Sequence, residues 1–123
     1  MDKLKYIPED STVQLVYEYE HNSERKKANN FSEKDLRLII QHYFFQKKYL
    51  KIKKTLKYSL NLYPESYELL LLQASYLVFY DNNIDKALKV AYLADDISKN
   101  NPNTFLILGN IYKELNDINK AVN

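Results

Sequence analysis

Residues 65–94 read ESYELLLLQASYLVFYDNNIDKALKVAYLA, and the way their apolar positions recur decides the fold. Leu70, Ala74, Leu77 and Val78 fall on one helical face, the polar run Asp81, Asn82, Asn83 interrupts it, and Ile84, Ala87, Leu88, Ala91 and Ala94 resume it. Recurrence every third or fourth residue belongs to an α-helix, whereas a half-buried strand alternates at every second one. The stretch therefore reads as two helices joined by a short turn.

On either side the same places return. Ile52, Ala87 and Ala121 lie 35 and 34 residues apart, and Ser59 and Ala94 repeat the 35-residue step. Leu36, Leu70 and Phe105 keep the register, as do Ile40, Ala74 and Gly109, and then Tyr43, Leu77 and Tyr112. A period in the mid thirties carried by paired amphipathic helices marks a helical solenoid, in which each hairpin buries its apolar face against its neighbours.

The punctuation agrees with that period. Ser32 is an N-cap with Glu33 and Asp35 in the first turn, where carboxylates complement the helix dipole. A helix over 33–46 follows, with Leu36, Ile39, Ile40, Tyr43 and Phe44 on one side. After a polar break at Gln46 to Lys48, a second helix carries Tyr49, Ile52, Leu56, Ser59 and Leu60 and ends before Pro64. The third hairpin opens with Asn101 as N-cap and Pro102 at the first helical position, where the missing N–H costs nothing. It runs through Phe105, Leu108, Gly109 and Tyr112 and is expected to turn at Asn116 and Asp117. The helix after that turn is a stub at Asn123, so the 123 residues read as part of a longer protein, with room for self-association through the incomplete repeat. Gly109 is the only glycine, and inside a helix it costs about 1 kcal/mol relative to alanine. Its presence points to close approach of a neighbouring helix.

Residues 1–30 form an N-terminal segment ahead of a repeat domain over 31–123 whose last repeat is truncated. Ser11 starts a helix over about 11–22, with Leu15, Val16 and Tyr19 at helical spacing, and His21 to Asn30 reads as a polar connector.

Composition excludes several function classes. One glycine and three prolines leave few turn signals for a sheet protein. The absence of cysteine removes disulfides, thiolate nucleophiles and Cys-type zinc sites and suits a reducing, cytoplasmic setting. No apolar run reaches the length of a signal peptide or a membrane span. His21 and His42 lack metal-type partners, there is no glycine-rich phosphate loop, and Asp95 and Asp96 are adjacent on a helix and so diverge. The chain reads as no enzyme, with no cofactor and no metal.

Residues 31–64 hold eight basic side chains against two acidic ones, six of the lysines lying at 47, 48, 51, 53, 54 and 57. Such a face could meet phosphates, which makes a nucleic-acid-binding repeat the runner-up reading. Lysine is abundant throughout, however, and charge runs on helices most often serve as solvated outer faces.

The run from Phe105 through Leu108, Gly109 and Tyr112 to Ala121 resembles the signature of the tetratricopeptide repeat (TPR) family. Leu70, Ala74, Ala87 and Ala94 resemble it in the preceding repeat, and Leu36, Tyr43, Tyr49, Ser59 and Pro64 in the first. Ile40, Ile52 and Leu77 depart from it, since the family prefers a small residue, alanine and tyrosine there. The resemblance implies an all-α, right-handed superhelical α-solenoid of antiparallel helix hairpins. It implies a protein-binding scaffold whose first helices line a concave groove that holds a peptide segment or helix of a partner. The groove residues would be Lys34, Arg37, Gln41 and Phe44 in the first repeat, Leu71, Ser75 and Val78 in the second, and Leu106, Asn110 and Lys113 in the third. A small TPR-type secretion chaperone is a variant of the same reading. The carboxylate clamp of the chaperone-binding members is missing, because Leu72, Asn103 and Ile107 stand where its polar or basic residues are expected.

Overall fold

The computed structural model describes residues 10–122, with backbone alone for 120–122. Among the described residues it holds seven α-helices and no strand: α1 (Asp10–His21), α2 (Ser23–Lys27), α3 (Glu33–Phe45), α4 (Tyr49–Leu62), α5 (Tyr67–Phe79), α6 (Ile84–Ile97) and α7 (Pro102–Val122). The all-helical reading stands, and the breaks at Gln46 to Lys48 and near Asn82 fall between helices as expected.

Side chains start the helices and asparagines stop them. Ser32 Oγ accepts the Asp35 N–H at 3.0 Å while Asp35 Oδ2 accepts the Ser32 N–H at 3.1 Å, a reciprocal capping box at the start of α3. Ser66 and Asn83 cap α5 and α6 through the N–H groups of Leu69 and Lys86. Beyond the ends of α2, α3, α5 and α6 stand Asn29, Lys47, Asn82 and Asn100 with φ of 57°, 54°, 52° and 59°. That left-handed conformation closes helix C-termini and is normally given to glycine; in a chain with one glycine, asparagine takes the place at three ends and a lysine at the fourth.

The chain divides into two compact units, one ending at Thr55 and the other beginning at Leu56, so the division falls inside α4. In the first unit α1 packs on α2 and α3. Val16, Tyr19, Phe31, Leu36, Ile39, Ile40, Tyr43 and Ile52 are buried there. Tyr19 meets Phe31 edge-on at 5.4 Å, and the Arg25 guanidinium lies 4.2 Å from the Phe31 ring centre. Arg25 also pairs with Asp35 at 3.5 Å, which ties α2 to the start of α3. The expected connector from His21 to Asn30 therefore contains a helix, because Asn22 caps it through the Arg25 N–H and the Arg25 contacts hold it in place.

In the second unit α5 packs against both α6 and α7. That explains its run of four leucines: Leu69, Leu70 and Leu71 are all buried, as in a helix covered on more than one side. Ala74, Ala87, Ala91 and Ala94 have no exposed surface, and small side chains there let α5 and α6 approach closely.

The third hairpin is corrected. α7 continues through Asn116 and Asp117 to Val122 without a turn. Asn and Asp lower helix propensity by only about 0.7 kcal/mol each, and with no glycine or proline after 109 nothing removes a hydrogen bond from the ladder. The face that α7 buries also differs from the reading: Thr104 and Ile111 are buried, whereas Phe105 and Tyr112 are about half exposed. Gly109 is exposed, and a Cβ built on it meets nothing within 4 Å, so it does not mark a close helix approach within the described residues.

Candidate functional site

Each unit presents its own share of the residues assigned to a groove. In the first, Lys34 and Gln41 are exposed, Phe44 is half-buried, and Arg37 is bound to Glu33 one turn earlier at 2.9 Å. In the second, Leu71 and Val78 belong to the core formed by α5, α6 and α7, which leaves Ser75, half-buried, as the member on α5 with open surface. On α7, Leu106 and Lys113 are exposed and Asn110 is half-buried.

Leu106, at 64% exposure, is the most exposed leucine on α7 and adjoins Phe105 at 53%. Tyr112 lies two turns along, and its hydroxyl is 2.9 Å from that of Tyr92 on α6. That contact raises the Tyr92 phenol above its ordinary value, through the hydrogen bond first and burial second. Leu93 and Ile97 on α6 are also partly exposed. In the second unit α6 and α7 thus both expose apolar side chains, and in the first unit Phe45 and Leu50 do so at 60% and 64%; contiguous exposed apolar surface marks interaction sites more often than isolated exposed leucines do.

The first unit holds a second feature that no local sequence pattern signals. A cleft of about 320 Å³ is lined by Tyr19, Glu20, Lys26, Tyr43, Lys51, Lys54 and Thr55. Glu20 Oε2 accepts the Tyr43 hydroxyl at 2.6 Å and the Lys51 ammonium at 2.8 Å. Burial alone raises the Glu20 pKa; the bonds from Lys51 and Tyr43 and the charges of Lys51 and Lys48 outweigh it and hold the carboxyl below its usual range. Tyr43 shifts upward, first because it is buried and then because it donates to Glu20. Lys26 Nζ lies 4.1 Å from the centre of the Tyr19 ring. Tyr19, Lys26, Tyr43 and Lys51 come from four different helices, so only the fold assembles them.

The basic run is exposed at Lys47, Lys48, Lys51, Lys53, Lys54 and Lys57, with Lys51 engaged by Glu20. His21 donates its Nδ1–H to the Tyr17 carbonyl at 3.0 Å and stacks on the Tyr17 ring. No cluster of three or more His, Cys, Asp or Glu side chains capable of holding a metal occurs among the described residues, and no helix among them is long and apolar enough to cross a membrane.

The model of the ChAPs family, described as Chs5p-Arf1p-binding proteins, matches residues 20–123. That span takes in every helix from α2 to α7. No curated protein and no solved structure matches the chain.

Proposed function

The chain belongs to the ChAPs family, and from that premise we propose that it is a non-catalytic protein-interaction module of TPR-like helical hairpins, acting in the cytoplasm. Its partners are proteins of the kind the family description names, Chs5p and Arf1p. The observation that carries the reading is the exposed apolar side of α7, where Leu106 is 64% and Phe105 53% exposed while Ile111 on the opposite side is 1% exposed. A segment or helix of the partner lies along Leu106, Asn110 and Lys113: leucine supplies apolar contact, asparagine a backbone bond and lysine a charge at the rim. Ser75 is a secondary contact in this reading, and Lys34, Arg37, Gln41 and Phe44 form a contact surface of the first unit by itself. The protein partners in the family description favour it over a nucleic acid held by the lysines of α4.

The test is binding of purified Chs5p and Arf1p homologues, followed by titration calorimetry, to the wild type and to a Leu106→Asp, Asn110→Ala variant. The double change lowers affinity by about 2 kcal/mol or more, as hot-spot substitutions do, while melting shifts little because both positions have open surface. Lys53→Glu with Lys57→Glu serves as the comparison. Loss of binding in the lysine variant with full binding in the α7 variant would overturn the proposal.

A further inference from the structure

We infer that the cleft of the first unit is a second binding site, which takes paired carboxylates from an acidic segment of a partner protein. The cleft wall carries three ammonium groups, Lys26, Lys51 and Lys54, and one carboxylate, Glu20. Its formal charge is thus positive by two, and Lys48 adds to the field that Glu20 feels. Lys54, exposed on the cleft side of α4, makes no ion pair among the described residues.

The structure also displays the recognition chemistry on a group of its own. Glu20 is held by one ammonium at 2.8 Å and one phenol at 2.6 Å, both charge-assisted hydrogen bonds, so the cleft already binds a carboxylate at one place. Lysine ammoniums are compact, rotatable donors that can engage a second and third carboxylate without a fixed fork geometry. The Tyr19 and Tyr43 rings form walls beside them, with Lys26 and Lys51 ammoniums 4.1 and 5.6 Å from the respective ring centres. A volume of about 320 Å³ lies at the lower end of ligand-site sizes and suits two side chains of a segment rather than a folded surface. Charge complementarity thus selects an acidic peptide, and Glu20 competes with it for Lys51.

The competition makes the proposal testable in two directions. The probe is a fluorescein-labelled short peptide of alternating Asp and Glu, followed by fluorescence anisotropy on the full chain at moderate salt. Lys54→Glu weakens binding about tenfold, while Lys53→Glu, on the other side of α4, changes it little. Glu20→Gln strengthens binding severalfold because it frees Lys51, an outcome a purely structural role for Glu20 does not produce. Leu106→Asp leaves peptide binding intact, so failure here and failure of the α7 reading are separable. Equal loss with Lys53→Glu and Lys54→Glu, weaker binding in Glu20→Gln, or no saturable binding of the peptide overturns the proposal. So does tighter binding of an oligonucleotide of equal charge or of anionic-lipid vesicles.

Discussion

The Tyr43 hydroxyl on α3 donates to the Glu20 carboxylate on α1 across 2.6 Å, and Tyr43 is itself only 1% exposed. A neutral donor this deep, aimed at a charge nearer the surface, joins the packing of α1 on α3 to the chemistry of the cleft. Tyr43→Phe keeps the ring and removes the bond. Because Glu20 retains Lys51 and some water, the loss is at the lower part of the range for bonds to charged groups, about 1.5–2 kcal/mol. Glu20→Gln preserves an acceptor for the hydroxyl and costs less. Urea denaturation of the two variants checks the order, and a Tyr43→Phe protein as stable as the wild type contradicts it.

At Lys47 a lysine stands in the left-handed region, φ 54°, beyond the end of α3, with Lys47 and Lys48 N–H groups bonded back to Phe44 and Tyr43 carbonyls at 3.1 Å. For a residue with a Cβ that conformation costs about 1–2 kcal/mol, against the roughly 0.5–1 kcal/mol that glycine loses in chain entropy. Lys47→Gly is therefore stabilising, by about 0.5–1 kcal/mol on the difference of those two terms. A raised melting midpoint measures it; a lowered one shows that the lysine side chain contributes more than the strain removes.

Gly109 gives a prediction of the same sign for a different reason. It lies inside α7, exposed, with nothing within 4 Å of a Cβ built on it. Gly109→Ala gains the helix-propensity difference of about 1 kcal/mol and meets no clash. A stability loss in the isolated chain instead points to a neighbour over this position, as the placing of the only glycine inside a helix suggests. Circular dichroism melts with concentration varied distinguish a neighbour in the same molecule from a second copy.

The helices were legible because their signals are local. Ser32 followed by Asp35 announces the start of α3 through hydrogen bonds made within three residues, Pro102 fits a first helical position because it has no N–H to satisfy, and the spacing of Leu36, Ile39, Ile40 and Tyr43 shows the buried face of α3 whatever it packs against. The repeat through Ile52, Ala87 and Ala94 likewise found three residues with no exposed surface. Where a signal was weak, the reading erred. Asn116 and Asp117 suit turns, yet each carries too small a helix penalty to end a helix by itself.

Side-chain chemistry was least legible. Leu71 and Val78 lie in the core although a shared repeat position placed them on a groove, since a position one turn from the core seam is covered or open according to how α7 sits on α5. The cleft left no trace in the sequence, for Glu20 and Lys51 stand 31 residues apart. Sequence alone determined the all-helical class, the extent of α3, the breaks on either side of α4 and between α5 and α6, and the lack of thiol chemistry, because propensity, capping and turn signals act over a turn or less. Tertiary structure decided the straight course of α7, the exposure of Leu106 and the meeting of Glu20, Tyr43 and Lys51, because each depends on which helices pack together, and packing joins residues that are remote in the chain.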